Sequence, residues 1–178
     1  MPYQLDPAKL SLQRPRQRIL IADTVGLGKT LEAGILMSEL IARGKGKRIL
    51  VVTVKSMMTQ FQKEMWNRFT IPLVRLDSNR IQKIRANLPS NYNPFFYYDK
   101  TIVSILKRDV EYRTHLENAY WDIIVIDEAQ NVAERGDHQA QRSRLAKLLA
   151  DRSDTMIMLS ATPHDGRAKS FASLMNML

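Results

Sequence analysis

Lys29 and Thr30 close a turn, Asp23-Thr24-Val25-Gly26-Leu27-Gly28-Lys29-Thr30, whose residue types could hold phosphate groups. Gly26 and Gly28 let the backbone approach phosphate oxygens and take dihedrals that a Cβ would forbid. The N–H groups that open a following helix point at an anion, and the helix dipole adds to them. Lys29 could then neutralise the β- and γ-phosphates of a nucleotide, and the Thr30 hydroxyl could hold Mg²⁺. The full pattern, G-x-x-x-x-G-K-[ST], would place its first glycine at position 23, where this chain has Asp23. A glycine-rich strand-to-helix turn with a surface lysine would look much the same, so the loop needs support from elsewhere in the chain.

Two further stretches supply it. The apolar run Ile123-Ile124-Val125-Ile126 ends in Asp127-Glu128-Ala129-Gln130, and Ser160-Ala161-Thr162-Pro163 follows a second apolar run. A carboxylate on the end of a buried strand is held rigidly. Asp127 could orient a water on Mg²⁺, and Glu128 could align an attacking water or accept its proton. Taken alone, the acidic pair could merely cap the turn that follows. Three such elements in one chain are harder to explain that way.

To converge, the three stretches must be positioned by regular elements. Periodicity and turn residues predict strands at 18–22, 48–53, 73–76, 101–106, 123–126 and 155–159. They predict helices at 29–43, 78–88, 109–118, 139–150 and 168–178, and a short helix or turn over 3–14. A further helix follows Ser56, placed as its N-cap, and carries Met58, Phe61, Met65 and Phe69 as a core stripe. The polar stretch 131–138, with Gly136, reads as a mobile loop. Apolar strands alternating with helices indicate an α/β fold, a mostly parallel sheet covered on both faces. Ligands bind beyond the carboxyl ends of such strands, and all three stretches lie there.

Composition narrows the classes of function. The 178 residues suit one domain, with 44% hydrophobic and 25% charged residues as in ordinary globular proteins. No cysteine is present, so there is neither a disulfide framework nor a thiolate metal site, and His115, His138 and His164 lack ligand spacing. The net charge of +9, from 27 basic and 18 acidic residues, points to an anionic partner such as nucleic acid, although a solvated basic surface would give the same count. No apolar run is long enough for a membrane span and the amino end lacks signal-peptide order, so no membrane partner and a cytoplasmic location are expected.

The loop, Asp127-Glu128-Ala129-Gln130 and Ser160-Ala161-Thr162-Pro163 together resemble the first motor lobe of superfamily 2 helicases. Aspartate before Thr-Val-Gly-Leu-Gly-Lys-Thr is similar to the SWI/SNF-type branch, and within it to the bacterial RNA-polymerase-associated ATPases. The resemblance covers nearly the whole chain. It implies a three-layer RecA-like P-loop NTPase lobe over residues 1–178, acting in a DNA-dependent ATPase that moves on duplex DNA in a prokaryotic nucleoid. ATP and Mg²⁺ are the implied cofactors. Asp23, Val25, Gly26, Leu27, Gly28, Lys29, Thr30 and Gln130 would bind nucleotide, and Gln4 would read adenine. Lys29, Asp127 and Glu128 would be catalytic, with Thr30 and Asp127 on the metal. Ser160 and Thr162 would couple nucleotide state to DNA grip. Lys55, Ser56, Gln60, Ser104 and Lys107 would contact the nucleic acid.

Three positions depart from the family pattern. Thr24 replaces a second acid, Val54 a common proline, and Gln130 a histidine. Gln130 can still hydrogen-bond to Ser160 or Thr162, but it cannot titrate. The family also works with a second RecA-like lobe, whose arginine is worth roughly 10³–10⁵ in rate in well-studied phosphoryl-transfer systems. This chain alone is therefore expected to be a fragment that binds ATP·Mg²⁺ and hydrolyses it slowly, with the second lobe, and RNA polymerase or another complex, as partners. Rival readings are an RNA helicase lobe and a non-enzymatic interaction domain that kept the fold. A P-loop kinase or GTPase would leave Ser160-Ala161-Thr162 unexplained and lacks a base-reading Asn-Lys-x-Asp.

Overall fold

The computed structural model describes residues 17–22, 28–104, 110–129 and 136–161. Six strands form one sheet: β1 (Gln17–Ala22), β2 (Ile49–Thr53), β3 (Val74–Arg75), β4 (Lys100–Ser104), β5 (Trp121–Ile126) and β6 (Ser153–Ser160). Their spatial order is β1-β6-β5-β2-β4-β3, and every pairing is parallel. Among the described residues five α-helices connect them: α1 (Gly28–Ala42), α2 (Met58–Phe69), α3 (Ser78–Asn87), α4 (Val110–Glu117) and α5 (Gly136–Asp151).

The continuous apolar runs exist because both sheet faces are covered. Along β2 and β5, alternate residues enter different cores. Ile49, Val51, Ile123 and Val125 join Leu36, Met37 and Leu40 of α1 and Met58, Phe61 and Met65 of α2 on one face. Leu50, Val52, Ile124 and Ile126 join Ile81 and Ile84 of α3, Leu116 of α4 and Leu149 of α5 on the other. The result is the three-layer lobe expected from the sequence.

Some boundaries differ from expectation. Ser56 is not an N-cap: it lies in a 3-10 turn, Lys55–Met57, and α2 starts after Met57, which is right-handed and makes no side-chain cap bond. The turn takes up the residues that would otherwise have opened the helix. α5 begins at Gly136, inside the stretch read as a loop, because a glycine at a helix start costs little. The strand at 73–76 shortens to two residues at the sheet edge, and that at 101–106 is observed as Lys100–Ser104. The predicted elements at 3–14 and 168–178 lie outside the described residues.

Gly34 sets the approach of α1 to α2. A Cβ built there would fall inside the Phe69 ring. Gly34→Ala would gain about 1 kcal/mol of helix propensity but force the helices or the ring apart. Overpacking of this kind costs about 1–3 kcal/mol, so a net loss of stability is expected. Urea denaturation checks it, and adding Phe69→Leu should restore part of the loss.

Candidate functional site

Parallel pairing throughout brings all the strand carboxyl ends to one edge. β6 lies between β1 and β5, so the end of β1, Ser160 and Asp127 are neighbours. Ala22 is level with Ser160 in the ladder. The chain leaves β1 at Ala22 and re-enters described structure at Gly28, the first residue of α1, with Lys29 and Thr30 in its first turn. Helical N–H groups at this end have no intrahelical partner and can serve an anion.

Lys29 is buried, 5% exposed, and so is Asp127 at 6%. Charged side chains are rarely this covered unless something compensates them. The Asp127 backbone N–H donates to Val52 O at 2.8 Å, continuing the β5–β2 ladder past the strand. Its Oδ2 accepts from Thr53 Oγ1 at 3.0 Å, and its Oδ1 accepts from the Glu128 N–H at 3.0 Å. Burial pushes the Asp127 carboxyl above the usual carboxylate range, and the charge of Glu128 adds to this. The Thr53 hydroxyl, the Glu128 N–H and the charge of Lys29 pull the other way without cancelling it. A carboxylate left short of positive charge in this manner suits a cation beside it.

Glu128 has φ of 55°, in the left-handed region that costs an L-residue roughly 1–2 kcal/mol. Its N–H bond to the Asp127 side chain helps hold that turn. The strain places an acid, half-buried rather than covered, directly after the buried one.

Thr53 was not singled out from the sequence. It ends an apolar strand and could have been any strand-final residue. It is fully buried, and it reaches Asp127 only because β2 pairs with β5. Glu32, one turn beyond Lys29, is also buried and was likewise missed. Thr53→Val keeps the shape and removes the hydroxyl from a buried carboxylate. Chemical denaturation should show a loss of about 1–3 kcal/mol, with Thr53→Ser close to the original protein.

The site thus brings together Gly28, Lys29, Thr30, Asp127, Glu128 and Ser160, the last fully buried. Gln4, Asp23, Val25, Gly26, Leu27, Lys107, Gln130 and Thr162 lie outside the described residues. Further along the same edge, Lys55 and Ser104 line one pocket of about 400 Å³. Ser56 and Gln60 are exposed nearby, and Gln60 Nε2 donates to Glu64 Oε1 at 3.1 Å.

Residues 3–178 match the family model described as the SNF2-related domain. The chain belongs to the SNF2-related family. The RNA polymerase-associated protein RapA of Sodalis glossinidius (strain morsitans) is 34% identical over 177 residues, 98% of this chain and 18% of that protein. RapA of Yersinia enterocolitica is 33% identical over the same shares. This chain therefore spans 18% of the length of these relatives. The Sulfolobus solfataricus SWI2/SNF2 ATPase core in complex with dsDNA superposes with a TM-score of 0.73 at 25% identity, covering 99% of this chain and 35% of that one. The Pyrococcus furiosus Hef helicase domain, at TM-score 0.68 and 18% identity over 99% of this chain and 35% of that one, shares the fold. The sheet and helices are those of a RecA-like lobe of an SNF2-type ATPase core, related to RapA.

The residues fit a nucleotide and its metal. Among the described residues no group of three or more His, Cys, Asp or Glu side chains could cage a metal. One carboxylate and one hydroxyl, Asp127 and Thr30, are the usual protein share for Mg²⁺ that is otherwise held by phosphates and water. No helix among the described residues is long and apolar enough to cross a membrane.

Proposed function

We propose that this chain is the ATP-binding lobe of a DNA-dependent ATPase that couples hydrolysis to movement on duplex DNA. The observation that carries this reading is the buried Asp127 at the carboxyl edge, held by Thr53 and within electrostatic reach of Lys29. Membership of the SNF2-related family supports it, as does the likeness to a SWI2/SNF2 core solved with dsDNA.

In this reading the N–H groups that open α1 and the Lys29 ammonium bind the β- and γ-phosphates. Thr30 and Asp127 hold the metal ion, which when bound neutralises charge on the transferring phosphoryl group. Glu128 aligns the attacking water and accepts its proton. Ser160 and Thr162 pass nucleotide state toward the DNA. Lys55, Ser56, Gln60, Ser104 and Lys107 contact the backbone of the nucleic acid. Gln4 reads adenine, and a second RecA-like lobe completes the catalytic site. RNA polymerase is a candidate partner because the RapA relatives are named for it.

The test is phosphate release by a protein holding this lobe and a second one, with duplex DNA or single-stranded RNA added. Duplex-stimulated release that Lys29→Ala removes is expected. Stimulation by RNA alone would transfer the reading to an RNA helicase. Unchanged release by Lys29→Ala would overturn the site assignments.

A further inference from the structure

Two pockets adjoin beside α3, at the end of the sheet away from β1. The first, of about 400 Å³, is lined by Lys55, Arg75 and Ser104. The second, of about 480 Å³, is lined by Arg80, Lys83, Tyr97 and Tyr98. Both include Asp77 and Asn79, so they meet at the amino end of α3, and the second runs along the helix to Asn87 and Leu88. We propose that the nucleic-acid backbone does not stop at Lys55 and Ser104 but continues over α3 to Arg80, Lys83 and the Tyr97–Tyr98 pair. This rests on the DNA-binding reading above and extends it to residues that nothing else assigns.

The chemistry of the lining favours a phosphodiester backbone. Four cations, Lys55, Arg75, Arg80 and Lys83, face one acid, Asp77. Asp77 is already engaged, because its Oδ1 accepts from the Arg80 N–H at 2.9 Å and caps α3. The α3 sequence, Ser78 to Asn87, contains no acid at all. Its third cation, Arg85, turns away to His115 and is left out of the track. Arg75 is held at the pocket wall, where its Nη2 donates to Thr59 Oγ1 at 3.2 Å. A guanidinium in the pocket lining is a usual partner for a phosphate oxygen.

The far end combines cations with hydroxyls. Tyr97 is 50% exposed and meets Tyr98 edge to face, with ring centroids 4.8 Å apart. The Arg80 guanidinium carbon lies 5.8 Å from the Tyr98 ring centroid, and its Nη1 donates to Tyr98 Oη at 3.5 Å. Since Tyr98 Oη accepts from Arg80, its own proton can be given to a phosphate. Arginine, lysine, tyrosine and asparagine side chains are the usual donors to a DNA backbone. Such contacts position the strand without reading its sequence.

The test is fluorescence anisotropy of a labelled DNA duplex with the 178-residue chain over a range of salt. Arg80→Gln with Lys83→Gln should weaken binding roughly tenfold at low salt and flatten the dependence of log affinity on log salt by about one for each contact removed. Both side chains are exposed, so the fold should hold, and nucleotide binding should not change. Lys83→Glu alone should weaken binding further than Lys83→Gln. If the double variant matches the unsubstituted chain in affinity and slope while Lys55→Gln lowers both, the extension over α3 is wrong and the DNA reading stands. If the unsubstituted chain binds no duplex at low salt, both fall.

Discussion

Glu128→Gln should leave the affinity for ATP within about twofold and lower turnover by roughly 10²–10⁴, the usual worth of a positioned general base. The substitution is nearly isosteric and keeps the backbone N–H that donates to Asp127. The turn at φ 55° is therefore retained, and so is the geometry of the buried carboxylate. Only the capacity to accept a proton is removed. Equilibrium binding of a fluorescent ATP analogue beside phosphate release, in a protein holding this lobe and a second one, separates the two effects. A parallel loss of binding would mean that Glu128 holds the site together rather than acting on water. Glu128→Gly makes the complementary point: it should relieve about 1 kcal/mol of backbone strain, raising stability while abolishing turnover.

Lys29→Ala should cost the larger share of nucleotide affinity, about 10²–10³-fold, corresponding to loss of one partner from a buried charged contact. Lys29 is 5% exposed, so its ammonium is not screened as a surface lysine would be. It also lowers the carboxyl of Asp127, which burial raises. Removing it leaves Asp127 with Thr53 and the Glu128 N–H as its compensating groups. Lys29→Met keeps the aliphatic stem against the core and isolates the charge. Both variants should lose affinity alike, measured by calorimetric titration with ATP and Mg²⁺. Retained affinity in Lys29→Met would show that the stem, and not the ammonium, supports binding.

The carboxyl edge has an order that bears on both variants. From β1 through β6 to β5 it presents the α1 turn, Ser160 and the Asp127-Glu128 pair. From β2 through β4 to β3 it presents Lys55, Ser104 and Arg75. Lys29 and the Asp127-Glu128 pair lie on one half, and Lys55 and Arg75 on the other. Thr53 stands between them, with its hydroxyl on Asp127 and its chain running into Lys55 two residues on.

How much of this was legible in the sequence follows from whether the signal was local. The two central strands could be read directly, because runs such as Ile49–Val52 and Ile123–Ile126 are apolar only if buried on both faces. The candidate site residues Asp127, Glu128 and Ser160 stand at the ends of such runs, and Lys29 and Thr30 were read from the Gly28-Lys29-Thr30 turn that follows another. Thr53 was invisible because its role depends on β2 lying beside β5, a neighbour 74 residues away. The groove over α3 was missed for the same reason, since Arg80 and Tyr98 meet only in the folded chain. Ser56 misled because a helix-capping residue type can equally occupy a 3-10 turn. Gly136 misled because glycine was read as a breaker, whereas it opens a helix.

Nucleotide binding at this edge is tested by calorimetric titration of the 178-residue chain with ATP, with and without Mg²⁺, beside Lys29→Ala and Asp127→Asn. Saturable binding that Mg²⁺ strengthens is expected, with loss of binding in Lys29→Ala and binding that no longer responds to Mg²⁺ in Asp127→Asn. Equal binding by all three proteins, or none by the unsubstituted chain, would contradict it.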